Sequence, residues 1–224
     1  YTAEDMPDID YLLISHDHWD HLDYATATAL RSKVGQVVCP LGVGAHFEAW
    51  GYGKETVFEG DWYSVLEGKD GFAIHILPAR HFSGRSLTRN KTLWAGFALV
   101  TPERRIFFSG DSGYGKHFAE IGARFGGFDL AMLDCGQYDE NWRYVHMMPE
   151  DTAQAAEDLR ARALLPGHVG KFAIAYHTWD DPFKRIVAAS RGKPYRLLLP
   201  LIGEPVALPI ASDGEILRWW EAGR

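Results

Sequence analysis

The chain has 224 residues, long enough for one substantial core, and its 46% hydrophobic and 24% charged residues are ordinary for a globular protein, which argues against disorder or a fibrous class. A formal charge of −7 argues against a broad grip on nucleic acid, because that grip needs clustered Lys and Arg. The two cysteines, Cys39 and Cys135, are too few and too far apart for a disulfide framework or a thiolate zinc site, whereas ten histidines direct attention to imidazole and carboxylate ligands.

No Ser/Gly-rich linker, charge run, repeat or low-complexity tract divides residues 1–224, so a single domain is expected. No apolar stretch approaches the roughly 18 residues of a membrane span and nothing resembles a signal peptide, so a soluble, cytoplasmic protein is expected. The first residue is Tyr1 and not Met, which leaves an upstream targeting segment open; the oligomeric state is not legible.

Short β-rich runs alternate with helical ones, the pattern of a layered α/β fold. Tyr11 to Ser15 reads as a strand stopping at His16, and 23–33, opened by Asp23, as a helix. Gln36 to Cys39 is the next strand. Phe72 to Leu77 leads to Arg80 and His81, and Leu93 to Val100 pairs with Arg105 to Ser109 across a turn at Thr101 and Pro102. Gly110, Asp111, Ser112 and Gly113 follow. His117 to Phe125 reads as a helix and Phe128 to Leu133 as a buried strand, and Pro149 opens a helix running to about Arg162. Leu164 and Leu165 lead into Pro166, Gly167 and His168, and Asp180 or Asp181 caps a last helix to about Ser190. His16, His81, Asp111 and His168 thus each follow an apolar run, so four strand ends are expected to deliver ligands to one rim of a sheet.

The densest signal is His16-Asp17-His18-Trp19-Asp20-His21, three imidazoles and two carboxylates in six residues. A tight turn after a strand can splay such a cluster towards two metal ions, and imidazole with carboxylate suits zinc. With His81, Asp111 and His168 the candidate ligands number seven, more than one four-coordinate zinc can use.

The H-x-H-x-D-H pattern of His16, His18, Asp20 and His21, with His81 after Pro78-Ala79-Arg80, Asp111 in Ser109-Gly110-Asp111-Ser112-Gly113, and His168 after Pro166-Gly167, resembles the metallo-β-lactamase superfamily. The segments from Arg80 to Leu87 and from Asn90 to Trp94 resemble its N-acylphosphatidylethanolamine-hydrolysing phospholipase D-like branch, relatives of which include L-ascorbate-6-phosphate lactonases. The resemblance runs from about residue 8 to 187. It implies a four-layer αβ/βα sandwich, one metal on His16, His18 and His81, a second on Asp20, His21 and His168, and Asp111 as the bridge. Members normally carry several strands ahead of the H-x-H-x-D-H turn, whereas fifteen residues precede His16, so a longer gene product is expected, or a first sheet completed by another segment or chain.

The resemblance leads to a dinuclear zinc hydrolase. Two such ions supply a water of pKa about 7 and charge for developing oxyanions, without a protein base. Asp20 is expected to ligate and to orient that water, with His146 near the site as a catalytic or substrate contact. Arg85, Arg89 and Lys91 follow His81 and read either as phosphate recognition, Arg85 foremost, or as an exposed basic loop. Tyr138 and Trp142 read either as a substrate wall or as cover for the core. Asp134 stands at a strand end and matches no ligand position. The leading reading is a phosphodiesterase acting on a small or lipid-like substrate, with peripheral membrane contact and no nucleic-acid partner. The alternatives are a lactonase or other small-ester hydrolase, and an interaction protein that keeps the fold.

Overall fold

The computed structural model describes residues 2–85, 87–171, 174–209 and 218–221; Ser86, inside the Arg80 to Leu87 segment, lies outside them. Two sheets build the molecule. In the first, β1 (Ile9–Leu13), β2 (Val34–Pro40) and β3 (Val57–Gly60) run parallel in the order β1-β2-β3. The second contains β4 (Val65–Glu67), β5 (Ala73–Leu77), β6 (Gly96–Val100), β7 (Arg105–Phe108), β8 (Leu130–Asp134), β9 (Ala163–Gly167) and β10 (Arg196–Leu197), ordered β10-β9-β8-β7-β6-β5-β4. Pairing is antiparallel from β4 to β7 and parallel from β7 to β10. Because β6 is antiparallel to both neighbours, β5, β7, β8 and β9 all point the same way, and their C-terminal ends share one rim.

Strand periodicity creates the layers, since successive side chains leave opposite faces. On β2, Val37 and Cys39 pack with Leu22, Ala27 of α1 (Tyr24–Leu30) and Phe47 of α2 (Gly44–Ala49), while Val38 between them faces Ile74, Ile76 and Phe97 of the second sheet. The second sheet repeats the alternation: Phe97 faces the first sheet, and Ala98, Phe107, Ala131 and Leu164 face the other way. That outer face is covered by α3 (His117–Phe125), α4 (Pro149–Asp158) and α5 (Asp181–Ala189), through Phe118, Ile121, Ala153, Ala156, Phe183 and Ile186. The result is the expected four-layer αβ/βα sandwich, with β1 at one edge of the first sheet.

Several boundaries differ from the sequence expectation. The helix expected to reach Arg162 stops at Asp158, because Arg160 takes a left-handed φ of 53° that turns the chain into β9. The helix expected over 23–33 ends at Leu30; Asp23 does cap it, accepting the Thr26 N–H at 2.7 Å. Asp180 precedes α5 without capping it: its carboxylate accepts the Thr178 hydroxyl at 2.7 Å and pairs with Lys184 at 2.6 Å. The short elements β3, β4, α2 and β10 carry no sequence signal strong enough to have been named. Among the described residues no helix is long and apolar enough to cross a membrane.

One contact between α3 and α4 depends on the absence of a side chain. A Cβ at Gly122 would lie 2.2 Å from the Asp158 carbonyl oxygen and 2.8 Å from the Leu159 Cα, so the helix can approach this backbone only with glycine there. Gly122→Ala is expected to cost about 1–3 kcal/mol through overpacking, read as a lower denaturant midpoint with an unchanged slope.

Candidate metal centre

The rim of the second sheet meets the end of β1 at a seam where the Ala95 N–H donates to the Ser15 carbonyl at 2.8 Å. The chain after β7 crosses this seam through Gly110, at φ 57°, where a Cβ would meet Ser15 Cβ at 2.7 Å and the Ala95 carbonyl at 2.8 Å. Only glycine fits, and the crossing places Asp111 directly beside the His16 to His21 turn.

All seven expected ligands converge. His16 Nε2 lies 2.9 Å from His18 Nδ1, which lies 3.2 Å from His81 Nε2. Tetrahedral zinc with Zn–N of about 2.05 Å holds its nitrogens about 3.3 Å apart, so this triad has the spacing of a ligand set. The outer nitrogens fix the rings: His81 Nδ1 donates to the Val145 carbonyl at 2.9 Å, and His16 Nδ1 lies 3.0 Å from the Ser15 hydroxyl. In the second group, Asp20 Oδ2 is 3.4 Å from both His21 Nε2 and His168 Nε2. Asp111 Oδ2 stands between the groups, 3.0 Å from His21, 3.8 Å from His16 and His168, and 3.9 Å from His81, in each case measured to Nε2. His21 Nε2 is buried and, despite these carboxylates, makes no aligned hydrogen bond, as befits an atom directed at a cation. The donor set therefore fits divalent metal of borderline character.

Electrostatics divide the two groups. Burial, aided by the neighbouring imidazoles, pushes His16 well below its ordinary value, and burial likewise lowers His81 to about 4. Both are neutral and ready to ligate. Burial also opposes protonation of His21 and His168, but Asp111 and Asp20 raise the former to about 9, and Asp134 and Asp20 raise the latter to about 11. The His168 hydrogen bond, with His21 Nε2 close by, holds Asp20 far below the carboxylate range.

The centre opens into a cleft of about 550 Å³, lined beyond the ligands by Phe82, Arg89, Trp142, Tyr144, His146 and Ile174 among others. His146 is thus at the site, its Nδ1 2.9 Å from Asp134 Oδ2. Trp142 forms part of the wall. Tyr138 does not: it is 4% exposed, its hydroxyl donates to Asp181 at 2.5 Å, and its ring stacks on His177. Arg85 also stands outside the lining residues. Its guanidinium lies over the rings of Trp19 and Trp50, and donates to the carbonyls of Asp17 and Leu22. Among the described residues lining this cleft the basic side chain is Arg89.

Asp134, which matches no ligand position in the sequence, lies at the centre. Its carboxylate is buried between His146 and His168 Nδ1, the latter at 3.7 Å, and accepts the Ser112 N–H at 3.2 Å. Burial alone would raise it, but His146 and His168 keep it ionised. The available signal was its place at the end of β8, in line with the ligand-bearing ends of β5, β7 and β9.

Two packed sheets with a histidine and carboxylate centre at their common rim place the chain among metal-binding αβ/βα sandwich proteins. A family profile described as the β-lactamase superfamily domain matches residues 2–169, and the chain belongs to that superfamily. It is 42% identical over 219 residues to an uncharacterized protein of Mycobacterium tuberculosis, covering 96% of this chain and 58% of that one. It is 35% identical over 183 residues to N-acyl-phosphatidylethanolamine-hydrolyzing phospholipase D 1 of Caenorhabditis elegans, covering 76% of this chain and 51% of that one. The chain therefore spans little more than half the length of these relatives. Among solved structures, an isothiocyanate hydrolase from Delia radicum gut bacteria shares the fold with a TM-score of 0.71 at 19% identity, over 93% of this chain and 80% of that one.

Asp134→Asn keeps the shape of the side chain and removes the charge that orients His168 and His146. Metal affinity is expected to fall about 10- to 100-fold with the fold retained. Competition against a chromophoric chelator, with circular dichroism as the control for folding, measures this.

Proposed function

We propose that the chain carries the catalytic centre of a dinuclear, zinc-dependent phosphodiesterase acting on a lipid-like substrate. The observation that carries the two-ion reading is the position of Asp111 Oδ2, within 3.9 Å of four imidazole nitrogens drawn from both ligand groups. His16, His18 and His81 would hold one ion and Asp20, His21 and His168 the other, with Asp111 shared. Ions so held supply an acidified water and positive charge for two phosphoryl oxygens.

The remaining work falls to residues of the chain. Asp20 has a side chain 45% exposed at the cleft, a position from which it would accept from a water and orient it. Asp134 commits His146 Nδ1, so His146 meets substrate through Nε2. Arg89 supplies a planar donor for a phosphate oxygen. Phe82, Trp142, Val145 and Ile174 offer an apolar wall to an acyl or aryl group. Tyr144, Ile174 and Tyr176 are exposed by 67%, 73% and 89% beside this wall, which supports contact with a membrane surface from which such a substrate would be drawn. The named activity of the nematode relative agrees with this substrate class.

Elemental analysis of metal-replete protein is expected to give two zinc ions per chain, and one ion at most would refute the dinuclear claim. In a panel of aryl and lipid phosphodiesters and lactones, phosphodiester cleavage is expected. Arg89→Ala is expected to lower kcat/KM for it about tenfold or more. Lactone hydrolysis without phosphodiester cleavage would replace this reading with a small-ester hydrolase.

A further inference from the structure

We propose that Arg85 is a positioning residue for the metal centre: it clamps the His16 to His21 turn, and thereby sets the affinity of the second ion, held by Asp20 and His21. This rests on the two-ion reading above and extends it to a residue outside the cleft.

Four of the seven ligands sit on a turn with no regular secondary structure, and its two ends are held very differently. The near end is locked into the sheets. Ile14 donates to Val38 O at 3.1 Å, the Ser15 carbonyl accepts from Ala95 at 2.8 Å, and His16 is 1% exposed. The far end has no strand beneath it, and the Asp20 side chain is 45% exposed. Within the turn, His21 and Leu22 N–H groups both return to the His18 carbonyl, at 3.1 and 2.9 Å, which shapes the turn locally, and the buried Leu22 side chain seats its end against Val37 and Phe47 without holding the backbone of His18 to His21.

Arg85 ties the backbone of the turn at both ends. One guanidinium nitrogen, Nη1, donates to the Asp17 carbonyl at 3.0 Å and to the Leu22 carbonyl at 2.5 Å, so it spans the four residues His18 to His21. The preceding Gly84 N–H donates to the Asp17 carboxylate at 2.8 Å, which fastens the loop that carries His81 to the same turn. The guanidinium centre also lies 4.1 Å from the Trp19 ring centroid and 5.3 Å from that of Trp50. Trp19 belongs to the turn itself and is 66% exposed, so its large apolar ring is held against a cation while much of it faces water. A planar guanidinium can stack its face on indole and donate from its edge at the same time; a lysine ammonium cannot reproduce both contacts.

Loss of the clamp leaves His16, His18 and His81 in place, since His16 is fixed by the sheet seam, His81 by the Val145 carbonyl, and His18 by packing on Phe82 at 4.5 Å. Asp20 and His21 lose the Arg85 bond to the Leu22 carbonyl that follows them. The second ion is the one affected.

The test is a zinc titration of metal-free protein against a competing chelator, resolving the two steps, for wild type, Arg85→Gln, Arg85→Lys and Arg85→Ala. Thermal unfolding of each metal-free protein accompanies it. In Arg85→Gln the first step is expected to stay within about threefold of wild type and the second to weaken about 10- to 100-fold, the range for residues that orient ligands without touching the metal. Arg85→Lys should not restore the second step, whereas millimolar guanidinium added to Arg85→Ala should restore it in part. If Arg85→Gln does not fold, Trp19→Leu removes one face of the clamp at an exposed position and should weaken the same step. Two unchanged steps in these variants, or equal weakening of both steps alongside a lowered unfolding temperature, would overturn the proposal. A wild type that binds a single ion would instead overturn the two-ion reading itself.

Discussion

The centre depends on one electrostatic constraint: four imidazole nitrogens within 3.9 Å of a single carboxylate oxygen, Asp111 Oδ2, all largely removed from water. Side chains free to choose would not gather this way, because burial penalises each charge and the ring nitrogens compete for too few partners. The scaffold must impose the arrangement. Parallel strand ends deliver His81, Asp111, Asp134 and His168 from one sheet, while β1 delivers the His16 to His21 turn from the other. His168 itself sits at φ 59°, an unfavourable conformation for a side-chain-bearing residue, as expected where geometry is dictated by a site.

Much of this was legible in the amino-acid sequence because metal chemistry leaves a local trace. The three imidazoles and two carboxylates of residues 16–21 cannot be explained by burial or helix periodicity, and apolar runs ending in His81, Asp111 and His168 mark strand ends without any structure. The alternation of elements pointed to a layered α/β fold, and the family resemblance implied the four-layer sandwich. What stayed hidden depends on directions in space. Asp134 ends a strand as Asp111 nearly does, and nothing local distinguishes a carboxylate that steadies an imidazole from one that meets a metal. Arg85 and Arg89 are four residues apart on one loop, and no pattern in the sequence reveals that the first stacks on Trp19 while the second lines the cleft. Tyr138 and Trp142 present the same difficulty: similar rings, one tied to Asp181 in the interior and the other in the cleft wall.

The cleft gives the chemistry its selectivity. Ligands of this kind are shared by enzymes of many substrates, and the fold supports many functions through its loops. Here the loop after β5 contributes Phe82 and Arg89, the segment between β8 and α4 contributes Trp142, Tyr144 and His146, and the segment between β9 and α5 contributes Ile174, so three connections from one sheet line the way to the centre. An apolar wall facing one guanidinium is a narrower specification than the metal centre alone.

The candidate ligands are divided between two sheets, and this would link metal supply to the persistence of the folded molecule. An ion that needs His16 from one sheet and Asp111 from the other binds the assembled sandwich and not the unfolded chain, so it acts as a ligand of the native state. At a free concentration a hundredfold above its dissociation constant, such an ion adds about 2.7 kcal/mol to stability. That is a sizeable part of the margin, on the order of 5–15 kcal/mol, by which domains stay folded. Loss of such an ion would therefore lower the amount of folded protein through turnover of its unfolded form.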